Sequence, residues 1–93
     1  MKHVYVIATQ DMESHRLYYE TGCTTFHGDI YMGNVLEAKR FDSLAEVCDY
    51  IKNSGSNFML GCSIVLIADV TFEAIEKNKD LFDKYHDPLY VIR

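Results

Sequence analysis

A chain of 93 residues is too short for two independent catalytic lobes, because chains divide into domains only beyond about 250 residues; residues 1–93 read as a single domain. A hydrophobic content of 48% is enough for a real core without disulfide or metal staples. With 9 Lys+Arg against 14 Asp+Glu, the net charge of −5 argues against a binder of phosphate backbones, which needs a basic surface.

Val4 to Thr9 is apolar or β-branched on both alternating sets, as expected for a central strand covered on both faces. Strand propensity resumes at His15 to Thr21 and is predicted to end at Gly22. Gly28-Asp29 reads as a turn between short strands at Thr24–His27 and Ile30–Met32. Val35 to Phe41 alternates and is predicted to be a hairpin strand with one wet face. Ser43-Leu44-Ala45-Glu46 has the form of a capping box and starts a helix. Its apolar stripe is Leu44, Val47, Cys48 and Ile51, and Asn53 to Asn57 stops it. Phe58 to Ala68 is the most apolar stretch and suits one buried strand. A second helix is expected from Thr71, a candidate cap, to about Lys84. Asp87-Pro88 breaks the chain before a final strand, Leu89 to Ile92. The fold class that follows is α+β: a single mixed, mainly antiparallel sheet in the order β-β-β-α-β-α-β, covered by two helices.

Three cysteines at spacings of 25 and 14 form no Cys-x-x-Cys pair, so reduced thiols are expected and no disulfide framework. Cys48 and Cys62 read as small core hydrophobes. Cys23 lies in a surface segment, and Cys23-x-x-x-His27 is the closest Cys/His pairing, short of the four ligands of a closed zinc site. No metal, cofactor or catalytic residue is assigned. Gly28 to Gly33 lacks the Gly-Lys-Ser/Thr ending of a phosphate loop, and no Gly-x-Ser-x-Gly or His-Glu-x-x-His is present. The short apolar run at the start does not make a secretory signal, and no run reaches the length of a membrane span, so a cytoplasmic protein without membrane contact is expected.

Two polar patterns stand out. Asp69, Glu73, Glu76, Asp80, Asp83 and Asp87 are spaced 4, 3, 4, 3 and 4 apart and on one continuous helix fall within an arc of about 80°. Residues 69–87 hold six acids against three lysines, so most of the net charge is concentrated there. Such a stripe fits a partner with a basic surface; it equally fits a solvated face in which Glu73–Lys77 and Asp80–Lys84 pair along the helix. Tyrosines form the second pattern, with Tyr18, Tyr19 and Tyr31 in the hairpin segment. Adjacent Tyr18 and Tyr19 point to opposite faces of a strand, which suits a protein interface if one of them is exposed. Core or dimer packing accounts for them as well. Glu73, Glu76, Asp80, Asp83, Tyr18, Tyr19 and Tyr31 are accordingly the candidate binding residues.

At Glu37-Ala38-Lys39-Arg40-Phe41-Asp42-Ser43-Leu44-Ala45-Glu46 the chain resembles a recurring element of small bacteriophage-encoded proteins, in which a strand ending in Ala-x-x-Phe runs into a capped helix. The resemblance covers these ten residues and implies a small phage accessory protein acting in the host cytoplasm, a group that includes inhibitors of host enzymes and of bacterial defence systems. It carries over no site residue. The leading expectation is a non-enzymatic protein that binds and inhibits or modulates a protein partner, with nucleic acid disfavoured by the charge. The alternative is a small-ligand binding or sequestering domain, compatible with a homodimer, whose pocket forms between the hairpin and a helix. A small hydrolase or transferase using Cys23, or His27 with His86, is a third class; it requires those side chains to converge in a cleft.

Overall fold

The computed structural model describes residues 2–79 and the backbone of residues 89–91. Five strands form one sheet: β1 (His3–Gln10), β2 (Leu17–Thr24), β3 (Ile30–Gly33), β4 (Ser63–Ala68) and β5 (Leu89–Val91). Their spatial order is β4-β1-β2-β3-β5, and every pairing is antiparallel. The α+β class holds, and β1 lies inside the sheet, between β4 and β2. Among the described residues, the α-helices that accompany the sheet are α1 (Leu44–Ser54), α2 (Asn57–Leu60) and α3 (Asp69–Lys77). Among the described residues no helix is long and apolar enough to cross a membrane.

Alternation along β1 divides the core. Ile7 on one face shares a core with Tyr18 of β2, Ile30 and Met32 of β3, Phe41 ahead of α1, Val47 and Ile51 of α1, and Met59 of α2. Val4 and Val6 on the other face pack with Ala38 and with Phe72 of α3, flanked by Tyr19, Val35, Leu36, Val65 and Ile67. Helices therefore lie on both sides of the sheet, and each fully buried aliphatic side chain contributes roughly 1.5–3 kcal/mol. The exposed guanidinium of Arg40 stacks 3.8 Å from the Phe72 ring centroid, roofing the second core.

Local chemistry explains where the elements depart from the sequence pattern. Val35–Phe41 is not a strand: Val35–Glu37 is a single turn of 3₁₀ helix, and only Phe41 makes a β-bridge, to Tyr5. The cause is an Asn-x-x-Glu capping box. Asn34 Oδ1 accepts from the amides of Leu36 and Glu37 at 2.9 and 3.2 Å, and Glu37 Oε1 accepts from the Asn34 amide at 3.2 Å. Glu37 lies so close to Gly33 that a Cβ there would meet its Oε1 at 2.7 Å.

The apolar run Phe58–Ala68 is likewise two elements. Ser56 caps a short helix by accepting from the Met59 amide at 3.2 Å, and β4 begins only at Ser63. That strand lies at the edge of the sheet, with Ile64 and Leu66 exposed, not in the interior. Gly22 does not end β2. Its φ of +81° lets the strand bulge and continue to Thr24, where pairing with Ile30 resumes. A turn follows in place of the expected Thr24–His27 strand, held by the Thr25 amide donating to the Asp29 carbonyl.

Helix α1 starts at Ser43 as expected, its hydroxyl accepting from the Glu46 amide at 3.2 Å. Glu46 reaches back one residue further, to the Asp42 amide. Gly55 at φ +65° ends the helix in the left-handed conformation. Of the predicted stripe only Val47 and Ile51 are buried; Leu44 and Cys48 are exposed, so Cys48 is not a core residue. Helix α3 begins at Asp69, two residues before the expected Thr71 cap, and leaves helical geometry at Asn78. The remainder of the predicted helix, to Lys84, extends outside the described residues.

Candidate functional site

Among the described residues, a hollow on the second face of the sheet, about 440 Å³ in volume, is a candidate binding site. It is open to solvent and lined by Arg16, Leu17, Tyr19, Val35, Val65, Ile67, Thr71 and Ile75. Four separate segments build it. Antiparallel pairing sets Val6 beside Val65 and Val4 beside Ile67, and the two-residue period puts Val65 and Ile67 on one face of β4. Thr71 and Ile75 are four apart on α3, so they share one helix face. Val35 comes from the 3₁₀ turn that Asn34 caps, and Arg16 and Leu17 from the entry to β2.

That entry is shaped by a tight turn. Asp11 Oδ2 accepts from the Ser14 hydroxyl at 2.6 Å and from the Ser14 amide at 3.0 Å, which holds the Asp11 carboxyl below its ordinary range. His15 takes φ +60°, its amide bonding to the Asp11 carbonyl, and the Asp11 amide closes the turn on the Arg16 carbonyl at 2.9 Å. Arg16 and Leu17 are thereby turned onto the sheet beside Tyr19.

Leu17, Val35, Val65, Ile67 and Ile75 make the lining predominantly apolar. The polar groups its residues carry are the Arg16 guanidinium and the hydroxyls of Tyr19 and Thr71. None of the eight is a carboxylate, thiol or imidazole. Burial pushes the Tyr19 phenol above its ordinary value, so it stays protonated and able to donate through the neutral range. A hollow with these properties suits reversible binding of a compact apolar molecule, neutral or acidic in charge.

The candidate binding residues do not converge on one place. Tyr19 lines the hollow; Tyr18 is buried on the opposite face, in the core around Ile7. Tyr31 is partly buried, and its hydroxyl donates to Glu37 Oε2 at 2.7 Å. Glu73 and Glu76 are exposed on α3, whereas Asp80, Asp83 and Asp87 lie outside the described residues. The row is not carried on one uninterrupted helix, because Asn78 caps α3: its side-chain amide donates to the Ala74 carbonyl at 3.0 Å and its backbone to Ile75. Cys23 and His27 are both exposed near the β2–β3 turn, and His86 lies outside the described residues. Among the described residues no three His, Cys, Asp or Glu side chains are placed to hold a metal ion.

One buried acid escaped the sequence reading. Glu20, 2% exposed, accepts from the Gly22 amide at 2.6 Å through Oε1; its Oε2 is buried with no hydrogen-bond partner among the described residues. Burial, reinforced by the Glu20 carboxylate, pushes the Cys62 thiol up, which makes Cys62 a poor nucleophile at neutral pH. In timed iodoacetamide labelling at pH 8, exposed Cys23 and Cys48 are expected to react first and Cys62 last, with the lag shortening as pH rises. Equal rates at Cys62 and Cys23 would contradict this account.

Comparison with protein-family models, with curated proteins and with solved structures finds no match.

Proposed function

We infer that this is a small acidic binding protein, non-enzymatic, whose ligand is a compact and largely apolar molecule held in the hollow between β2, β4 and α3. The observation that carries the reading is the hollow's composition: five aliphatic side chains surround one cation and two hydroxyls, with no acid among them. Removing the ligand's apolar surface from water at about 25 cal/mol per Å² is the main source of affinity. Arg16 makes the site more hospitable to an acidic ligand than to a basic one.

Sequestration fits this site better than catalysis, since its lining offers no strong nucleophile or general base. Protein-partner binding through the acidic row is less well supported, because Tyr18 is committed to the core and α3 stops at Asn78. Glu73 and Glu76 are the acids from that row still exposed on α3, and they bear on the choice experimentally.

The test is a fluorescence titration with 1-anilinonaphthalene-8-sulfonate, an apolar anion, followed by displacement with uncharged, acidic and basic aromatic molecules. Saturable binding at one site, with acidic or neutral competitors outperforming basic ones, is expected. The absence of saturable binding, or a preference for basic competitors, would overturn the reading.

A further inference from the structure

On the reading that the hollow is the binding site, we propose that its ligand is a carboxylic acid bound as the monoanion, with the carboxylate on the Arg16 guanidinium and the apolar body over Val65, Ile67 and Ile75. Arg16 is the charged member of the eight lining residues, and its backbone is held from several directions. The Arg16 amide donates to Ser14 Oγ at 3.3 Å, and its carbonyl accepts from the Asp11 amide at 2.9 Å. The Gln10 side-chain amide donates to the His15 carbonyl at 3.1 Å, and Leu17 is registered with Gln10 of β1. The stretch that carries the guanidinium is therefore set before a ligand arrives, and less ordering entropy opposes binding.

Charge arithmetic selects the ligand's head. A cationic head meets a like charge at Arg16 and is repelled. An uncharged ligand covering this face strips water from the guanidinium and supplies no counter-charge, and taking water from a charge is costly unless a partner replaces it. A phosphate monoester brings about −1.5 to −2, more than one guanidinium balances. The surplus would have to be desolvated against apolar walls in a chain that already carries −5. A single carboxylate matches the count.

Shape and hydrogen bonding agree with charge. A carboxylate offers two coplanar oxygens to the planar fork of a guanidinium, a pairing that a point charge does not reproduce. Each oxygen has further lone pairs, and the hydroxyls of Tyr19 and Thr71 are the other polar side-chain groups of the lining. Burial keeps the Tyr19 phenol protonated, so it serves as a donor to an anion through the neutral range. Behind these groups the walls are aliphatic, which suits a body with no second polar end.

Isothermal titration calorimetry at neutral pH tests this with ligands that share one ring system and differ in the head: 1-naphthoate, 1-naphthamide and 1-naphthyl phosphate. The naphthoate is expected to bind about tenfold or more tighter than either of the others, and its advantage over the amide should shrink as salt is added. In Arg16→Gln the ratio of naphthoate to naphthamide affinity should fall to about one. Equal binding of naphthoate and naphthamide, tighter binding of the phosphate, or a preference for naphthoate that survives Arg16→Gln would each overturn the carboxylate assignment while leaving the hollow as the binding site. Saturable binding by none of the ligands would overturn the hollow itself and the assignment with it.

Discussion

Replacing Ile7 by alanine is expected to cost about 2–5 kcal/mol, out of a total stability on the order of 5–15 kcal/mol. Ile7 is fully buried on the central strand β1, in a core that also holds side chains from β2, β3, α1 and α2. A cavity there loosens the whole first core at once. Val6→Ala, one residue away, opens the other core under α3 and should cost less, about 2 kcal/mol, because fewer methyl groups are removed. Leu44→Ala serves as the control: Leu44 is 51% exposed, and its loss should move stability by only about 0.5 kcal/mol. Urea unfolding with an unchanged m-value measures all three. Equal costs for Ile7→Ala and Leu44→Ala would contradict the layered arrangement.

Ile75→Arg is expected to weaken binding of the naphthalene sulfonate probe at least tenfold, about 1.4 kcal/mol or more. Ile75 is half-buried on α3, so the longer side chain fills the hollow and places a second cation among apolar groups without opening the core around Phe72. The paired change Glu73→Lys with Glu76→Lys inverts the exposed acids of the same helix. Probe affinity should then stay within about twofold, since screened surface charges are weak. If the double charge reversal abolishes binding while Ile75→Arg leaves it intact, the site lies on the acidic face instead of in the hollow.

Much of the fold was legible because local rules act over a few residues. The two apolar faces of Val4–Thr9 marked β1 as central, Ser43 marked the start of α1, and Gly55 lies inside the segment that was expected to stop it. Where the reading failed, a short-range hydrogen bond overrode an apolar pattern. Val35–Phe41 alternates like a strand, yet Asn34 and Glu37 satisfy each other's backbone amides and coil its first turn. Phe58–Ala68 is uniformly apolar, yet Ser56 caps a helix at its front and Gly61 closes that helix before β4. Both signals are present in the sequence as Asn-x-x-Glu and as Ser followed by Gly five residues on.

The hollow was legible only in outline. A pocket between the hairpin and a helix was one expectation, but no residue was assigned to it; Tyr19 was a candidate for a protein interface. Arg16, Val35, Val65, Ile67, Thr71 and Ile75 were not identifiable, because no spacing brings them together. They meet only because β4 returns to pair with β1 and α3 then folds across the same face. Glu20 was missed for a related reason: nothing local marks this acid as buried, and only strand pairing sets it beside buried Met32 on the covered face of the sheet.

The central claim is that the hollow on the second face of the sheet is the binding site, and a methyl-resolved ¹H–¹³C NMR titration with 1-naphthoate tests it most directly. The account predicts saturable shifts at the methyl groups of Leu17, Val35, Val65, Ile67, Thr71 and Ile75, with Ile7, Ile30 and Val47 of the opposite core unmoved. Shifts confined to Leu44, Leu60 and Met12, or no shifts at saturating probe, would contradict it.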